Sequence, residues 1–411
     1  MADGVINSVP EVNDPEIGLA SAPIARILEK PLQGGAISVD EATSLFETTG
    51  EDREALFRTA HALRVQTRGL RASFVVCRNI NFTNICYMGC QFCGFAKRRE
   101  DDGAETLTLP EIVRRTKEAQ DRGGTEVCIQ GGLNPKLGWE HYFDIVRAIK
   151  TDVPDMHIHA YSPFEIWFGA RQAKMDFESY IRDLKDSGLG SMPGTAAEIL
   201  DVEIRKQLTR DKLSTENWVA VMKAAHKVGM PTTATIMYGH IDQPRHWAAH
   251  LGLIRDIQRE TGGFTELVPL GFVHYESPLF FRRDDVRAGP TEDENLKMHA
   301  VARVMLHGVL DNIQVSWVKL GHEMAVRMLN CGANDLGGTL MNESISRSAG
   351  AKYGQEVTPR EMVDLIRSAG QVPWQRNTLY QEIDVFDDHD PPYVEPLVER
   401  VQPAPLDFLS L

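Results

Sequence analysis

Residues 74–84 read Phe-Val-Val-Cys-Arg-Asn-Ile-Asn-Phe-Thr-Asn, a β-rich run that ends in polar residues. Similar runs recur along the chain, and most are followed by Gly, Pro, Ser or Asn and then by an amphipathic helical segment. The predicted strands are 74–81, 126–130, 156–160, 189–192, 232–237, 264–269 and 312–316, with an eighth near 332–336. This alternation predicts an α/β fold with a parallel sheet, and the number of units favours a partial or complete TIM-like (β/α) barrel.

An open, doubly wound sheet is the alternative architecture. No G-x-G-x-x-G motif follows the first predicted strand, which removes the strongest reason to expect a dinucleotide site. Polar and glycine-rich residues follow six of the predicted strands, at 84–95, 130–134, 161–163, 193–195, 238–242 and 270–274. Because the functional loops of a (β/α) barrel lie at the C-terminal ends of its strands, we expect these segments to surround one cavity.

The segments on either side of the predicted barrel differ from it in composition. Ser38-Val-Asp-Glu41 has the spacing of a capping box, which marks the start of a helix. We expect a mobile N-terminal tail over residues 1–22 and a helical cap over 23–70. The barrel itself is expected over 71–340, followed by C-terminal helices and a proline-rich tail over 341–411.

The composition excludes several classes of protein. The 411 residues include 44 Lys and Arg against 58 Asp and Glu, a net charge of −14, which argues against a nucleic-acid partner. No run of apolar residues is long enough for a membrane span, and the N-terminus has no signal-peptide pattern. We therefore expect a cytoplasmic protein whose partners are small molecules or other proteins.

Three of the six cysteines, Cys86, Cys90 and Cys93, form a C-x-x-x-C-x-x-C loop directly after the first predicted strand. Three thiolates so close together can hold one inorganic centre, and an iron–sulfur cluster of four irons would keep one iron free of protein ligands. The alternative is a zinc site that a histidine completes with a fourth ligand. The 3-plus-2 spacing, without paired C-x-x-C motifs, favours the cluster.

This loop resembles the cluster-binding signature of the radical S-adenosylmethionine (SAM) enzymes, including the aromatic Phe92 before the third cysteine. The resemblance implies that Cys86, Cys90 and Cys93 ligate a [4Fe-4S] cluster whose fourth iron binds S-adenosyl-L-methionine. It also implies that an electron passed to the sulfonium cleaves this cofactor to methionine and a 5′-deoxyadenosyl radical, which abstracts hydrogen from the substrate. A barrel suits such chemistry because it keeps the radical away from water.

Two further positions match the superfamily. Gly131-Gly132 resembles the motif whose backbone binds the methionine ammonium, although the glutamate that often follows is Leu133 here. Glu198 is placed to contact the ribose or the amino acid part of SAM. The alternatives are a glycine pair that only makes a tight turn and a glutamate that only favours the first turn of a helix.

Longer matches narrow the resemblance to the tyrosine-using subunit of FO synthase. They are Asn79-Ile-Asn-Phe-Thr-Asn-Ile-Cys86, Met237-Tyr-Gly-His-Ile-Asp-Gln-Pro-Arg-His-Trp247, Glu260-Thr-Gly-Gly-Phe-Thr265, Trp317-Val-Lys-Leu-Gly321 and Gly332-Ala-Asn-Asp-Leu-Gly-Gly-Thr339. The resemblance implies that the 4-hydroxybenzyl group of L-tyrosine joins 5-amino-6-(D-ribitylamino)uracil, on the route to the deazaflavin FO. It further implies a second, separate FO synthase subunit as partner. Gly94 departs from the alanine expected there.

Other assignments stay open at this point. Aminofutalosine synthase and dehypoxanthine futalosine cyclase, two radical SAM enzymes of menaquinone biosynthesis, are similar in several of the same motifs. A non-catalytic metal-binding scaffold is a third possibility, from another class of function. His240, Asp242 and His274 follow predicted strands and are candidate catalytic residues, because a histidine there could orient a substrate or move a proton.

Overall fold

The computed structural model describes residues 17–209 and 212–397, so most of the expected N-terminal tail, residues 1–16, lies outside the described residues, as do residues 398–411. A short 3-10 helix, Ile17–Leu19, leads into three helices that precede the barrel. These are α1 (Ala22–Leu32), α2 (Val39–Phe46) and α3 (Gly50–Arg68). The predicted capping box begins α2: the Ser38 hydroxyl accepts the Glu41 N–H, and the Glu41 carboxylate accepts the Ser38 N–H.

The strands form a closed parallel barrel. Those assigned to it are β1 (Arg71–Val75), β2 (Cys77–Asn81), β3 (Glu126–Gln130), β4 (His157–Ala160), β5 (Thr232–Tyr238), β6 (Phe264–Gly271) and β7 (Asp335–Gly338). Only Val76 separates β1 from β2, and together they occupy one strand position, because β1 pairs with β7 whereas β2 pairs with β3. The remaining pairs are β3 with β4 and β5 with β6, all parallel.

Two of the eight strand positions are reduced to short bridging segments. Ser191 and Met192 connect β4 to β5, and Ile313 and Gln314 connect β6 to β7, in each case by parallel bridges. The predicted strands at 189–192 and 312–316 therefore take their expected places in the ring without forming full ladders. With them the ring closes through eight positions, which confirms the (β/α) barrel.

Thirteen helices follow α3 in the described residues. They are α4 (Leu109–Asp121), α5 (Glu140–Asp152), α6 (Pro163–Ala173), α7 (Phe177–Asp186), α8 (Val202–Leu208), α9 (Thr215–Lys227), α10 (Pro244–Thr261), α11 (Pro278–Arg282), α12 (Glu292–Leu306), α13 (Trp317–Leu320), α14 (His322–Leu329), α15 (Ile345–Ser348) and α16 (Pro359–Ser368). The helix α12 is buried from Asn295 to Leu306, because α2 and α3 pack over the face that points away from the barrel. None of the described helices is long and apolar enough to cross a membrane.

The C-terminal region contains two strands that the sequence did not predict. The strand β8 (Val372–Arg376) pairs in parallel with β1, and β9 (Glu382–Val385) pairs in antiparallel fashion with β8. Both are short, and β8 contains Pro373, which a sheet tolerates only where its missing N–H is not needed. Residues 341–397 are thus a mixture of helix and strand, in place of the helices and tail expected there.

Arg376, the last residue of β8, and the segment that follows it cover the N-terminal end of the barrel. The Arg376 guanidinium donates to Asp335 at 2.5 Å and to Glu266 at 3.2 Å, near the starts of β7 and β6. Thr378 donates its hydroxyl to Glu126, the first residue of β3, at 2.5 Å. These buried groups satisfy one another, so the charged end of the barrel is closed by its own C-terminal chain.

Candidate functional site

A cavity of about 420 Å³ lies inside the barrel, bordered by the C-terminal ends of the strands and reaching Arg376 at the N-terminal end. Its wall includes residues from five of the six segments that were expected to surround one cavity, namely those after β2, β3, β4, β6 and Met192. The segment 238–242 after β5 does not contribute to the wall. The expected gathering of loops is therefore present on most of the ring.

The three cysteines of the loop all line this cavity. Backbone hydrogen bonds anchor the loop on both sides: the Cys86 N–H donates to Lys97 at 3.0 Å, and the Tyr87 N–H donates to Leu133 at 3.1 Å. The Leu133 N–H points at Cys86 Sγ, 3.4 Å away. A main-chain donor of this kind stabilises a thiolate, which is the form that binds metal.

Burial raises the pKa of the Cys86 and Cys93 thiols, with the neighbouring Cys90 adding to the effect. Three crowded, partly buried thiolates repel one another, so an electropositive group between them would remove that penalty. The donor set therefore fits an iron–sulfur cluster. Within the described part of the chain, no group of three or more His, Cys, Asp or Glu side chains is arranged to hold a single metal ion.

The glycine pair lies where side chains could not be accommodated. A Cβ on Gly132 would be 2.4 Å from the Ile85 carbonyl oxygen and 2.9 Å from Cys86 Cβ, and one on Gly131 would be 2.6 Å from the Phe82 ring. Both glycines line the cavity. Their backbone is thus exposed to the cavity directly beside the cysteine loop, which is more than a tight turn requires.

Glu165, which also lines the cavity, holds this glycine segment in place. Its carboxylate accepts the Gly131 N–H at 3.0 Å and both the N–H and the hydroxyl of Ser162 at 2.7 Å. Burial raises the pKa of Glu165 to about 7, although these three hydrogen bonds oppose the shift. The capping-box spacing of Ser162 and Glu165 was present in the sequence, but not the reach to Gly131.

Glu198 lies on the cavity wall and forms an ion pair with Lys212, a buried residue that the sequence did not single out. Burial alone would raise the pKa of Glu198, but the Lys212 ammonium outweighs it and lowers that pKa. Glu198 has a φ of 43° and precedes α8, which begins at Val202. The alternative of a glutamate in the first turn of a helix is therefore wrong.

Phe92 is part of the same group. Its ring lies under the Lys212 ammonium, with 4.9 Å between the nitrogen and the ring centroid, and it lines the cavity beside the cysteines. Thr209 Oγ1 lies 3.8 Å from Cys90 Sγ. Thr209 and Lys212 therefore both contact the cysteine loop. At Gly94 a Cβ would lie 2.5 Å from the Ser348 carbonyl oxygen, which explains why glycine replaces the expected alanine.

The three candidate catalytic residues lie elsewhere. His240 is fully buried, and its ring nitrogens contact the Ile241 N–H and the Met237 carbonyl. Asp242 accepts hydrogen bonds from Gly239, His240 and the Trp247 indole, so its oxygens are occupied by the turn.

His274 borders a second cavity of about 530 Å³, together with residues of α13, α14 and the segment after α15. The structure thus brings the cysteines, Phe92, the glycine pair and Glu198 together, and leaves His240, Asp242 and His274 outside their cavity.

Two family models match the chain. One, described as the Radical SAM superfamily, matches residues 80–254, and the other, described as the CofH/MqnC C-terminal region, matches residues 261–389. The first covers the cysteine loop, the glycine pair and Glu198, and the second covers β6, β7, β8 and β9, whereas β1 lies before both matches.

Curated relatives match over most of the chain. It is 48% identical over 349 residues to a 5-amino-6-(D-ribitylamino)uracil–L-tyrosine 4-hydroxyphenyl transferase of Methanopyrus kandleri, covering 85% of this chain and 94% of that protein. The corresponding protein of Methanocaldococcus jannaschii is also 48% identical, with 85% and 97% covered. An FO synthase of Mycobacterium leprae is 50% identical over 83% of this chain, which spans only 39% of that longer protein.

Solved structures resemble the fold at low sequence identity. The FeFe-hydrogenase maturase HydG from Carboxydothermus hydrogenoformans superposes with a TM-score of 0.67 at 17% identity, covering 87% of this chain and 80% of that one. Methylornithine synthase (PylB) gives a TM-score of 0.67 at 19% identity, covering 84% and 97%. These similarities support the barrel architecture alone.

Proposed function

Because the chain belongs to the 5-amino-6-(D-ribitylamino)uracil–L-tyrosine 4-hydroxyphenyl transferase family of the radical SAM superfamily, we propose that it joins the 4-hydroxybenzyl group of L-tyrosine to 5-amino-6-(D-ribitylamino)uracil. The observation that carries the proposal is 48% identity across 94% of the Methanopyrus kandleri transferase. The cysteine triad on the wall of the barrel cavity supports it independently.

Cys86, Cys90 and Cys93 are proposed as the ligands of a [4Fe-4S] cluster. When bound, the cluster and SAM supply the radical that starts the reaction. The chain itself contributes the anchored loop, the Leu133 N–H beside Cys86 Sγ, and a barrel that keeps water from the reacting groups.

The other ligands of SAM are proposed along the adjacent strand ends. Gly131 and Gly132 offer backbone that lies open to the cavity, and Glu165 fixes that backbone in place through the Gly131 N–H. Glu198 offers a carboxylate whose negative charge Lys212 maintains. Phe92 supports Lys212 from the cysteine loop.

The remainder of FO formation is assigned to a second subunit. We propose this second subunit because of the resemblance to the FO synthase family; the chain spans about 39–40% of the mycobacterial FO synthases it matches. We propose that both subunits act in the cytoplasm and that the product passes between them.

The proposal is tested by anaerobic reconstitution with iron and sulfide, followed by incubation with a reductant, SAM, L-tyrosine and 5-amino-6-(D-ribitylamino)uracil. Mass analysis should detect the 4-hydroxybenzyl–uracil adduct. Cys90→Ala should lose cluster iron and adduct together. The matched control Cys331→Ala, at a buried cysteine away from the cavity, should keep both.

Two results would contradict the proposal. Formation of 5′-deoxyadenosine only with a futalosine-type substrate would place the chain in the menaquinone branch. Tight stoichiometric zinc without bound iron would indicate a metal-binding scaffold.

A further inference from the structure

Three cationic side chains among the described residues line the barrel cavity: Lys212, Lys319 and Arg376. Lys212 pairs with Glu198, and Arg376 pairs with Asp335 and Glu266. Lys319 differs from both, because its ammonium has no hydrogen bond or ion pair to any residue of 17–209 or 212–397. Lys319 is half-buried on the cavity wall, so its ammonium can pair with an anion that enters the cavity.

A carboxylate is placed near this ammonium but does not form an ion pair with it. Glu343 also lines the cavity, is only 4% exposed, and accepts the Ser346 N–H at 2.8 Å. Its charge acts on Lys319, since burial lowers the pKa of Lys319 while Glu343 opposes that effect. A carboxylate has more acceptor sites than these backbone bonds use, so Glu343 can accept from a ligand as well.

The two residues follow other strand positions than the proposed SAM contacts, although β7 adjoins β1 in the ring and Glu198 also acts electrostatically on Lys319. The cysteine loop, the glycine pair and Glu198 follow the first, second and fourth strand positions. Lys319 follows the Ile313–Gln314 position and Glu343 follows β7, which are the seventh and eighth. Lys319 also lines the second cavity, so it stands where a molecule could enter between the two spaces.

We propose that Lys319 and Glu343 bind the main-chain end of an α-amino acid substrate, Lys319 receiving its carboxylate and Glu343 its ammonium. This inference rests on the proposed function, under which that substrate is L-tyrosine. The two opposite charges match the zwitterion, and charge-assisted hydrogen bonds at both ends orient the aromatic side chain in the remaining cavity. Gly94, directly after Cys93, lies against Ser348 of α15, so under this proposal the ammonium end faces the cysteine loop.

The test measures equilibrium binding to the reconstituted holoenzyme without reductant, so that no turnover occurs. The ligands are L-tyrosine, tyramine, which lacks the carboxylate, and 3-(4-hydroxyphenyl)propionate, which lacks the ammonium. The wild-type protein should bind tyrosine at least about tenfold more tightly than either analogue. Lys319→Met should abolish the preference over tyramine, and Glu343→Gln the preference over 3-(4-hydroxyphenyl)propionate.

Controls separate binding from folding. Lys319→Arg retains the charge and should retain the preference. Lys352→Met changes a lysine of the second cavity only and should behave as wild type. If Lys319→Met fails to take up iron, Lys319→Gln replaces it in the same comparison.

The outcomes distinguish this inference from the proposed function. Unchanged tyrosine-to-tyramine preference in the Lys319 variant, in a protein that still forms the adduct, overturns the inference alone. Tyrosine binding that depends on Lys319 without adduct formation overturns the proposed function and supports the inference. No tyrosine binding to the wild-type protein overturns both.

Discussion

Gly132→Ala is the substitution whose effect follows most directly from the geometry of the site. The added Cβ would lie 2.4 Å from the Ile85 carbonyl oxygen and 2.8 Å from its carbonyl carbon, which are backbone atoms and cannot rotate away. An ordinary contact requires at least 3.4 Å, so either the glycine segment or the cysteine loop must move by about 1 Å.

A displacement of this size should have a small effect on the stability of the fold and a large effect on the reaction rate. Overpacking of this kind costs roughly 1–3 kcal/mol of stability, which a barrel of this size tolerates. A misplacement of about 1 Å between reacting groups can lower a rate about 100-fold. We therefore expect Gly132→Ala to fold and to cleave SAM about 100-fold more slowly than the wild type.

The assay is the initial rate of 5′-deoxyadenosine formation by the reconstituted protein, with iron content and thermal unfolding measured in parallel. The matched control is Gly89→Ala, in the same cysteine loop, where an added Cβ would meet no atom within 4 Å. A wild-type rate for Gly132→Ala would refute the reasoning. An equal loss for Gly89→Ala would do so as well, because it would mean that the loop tolerates no added atom anywhere.

Three further predictions concern groups around the barrel. Arg376→Met leaves Asp335 and Glu266 buried without their cation and should lower the free energy of unfolding in urea by about 3–5 kcal/mol. Burial raises the pKa of Glu165 from 4.5 to about 7, so the fold favours the protonated acid and loses this stabilisation as pH rises through that range. In urea titrations, the unfolding free energy of the wild type should therefore fall between about pH 5 and pH 8. In Glu165→Gln this fall should be smaller by about 3 kcal/mol. His240→Asn should lower stability by about 1–3 kcal/mol in the same titration but leave the KM for tyrosine unchanged. A raised KM with unchanged stability would instead support the catalytic role predicted for His240.

The sequence was most informative where the functional groups are contiguous. Cys86, Cys90 and Cys93 lie within one loop, so their spacing alone predicts that they share one inorganic centre. The structure places all three on the wall of the cavity. Gly131 and Gly132 were recognisable for the same reason, because the need for glycine is local: each lacks room for a Cβ.

Residues whose role depends on distant partners could not be predicted in this way. Lys212 contacts Glu198 and Phe92 through tertiary packing, which the order of residues along the chain does not reveal. Conversely, His240 and Asp242 follow β5, where catalytic residues are expected. Their polar atoms, however, accept hydrogen bonds from backbone N–H groups of the same turn. Position after a strand predicts access to the cavity, but it cannot reveal which polar atoms the local backbone has already used.

The charged side chains inside the barrel are of two kinds: those that form ion pairs with each other and stabilise the fold, and those that can bind a ligand. At the N-terminal end, Arg376 and its two carboxylates satisfy one another, so their burial costs little and they have no capacity left for a substrate. At the C-terminal end, Lys319 finds no counter-ion in the described chain, although Glu343 stands nearby. A fold that can neutralise Arg376 with two carboxylates could do the same for Lys319. Because it does not, the half-buried Lys319 ammonium on the cavity wall can receive an anionic group of a substrate, whereas the two carboxylates prevent Arg376 from doing so.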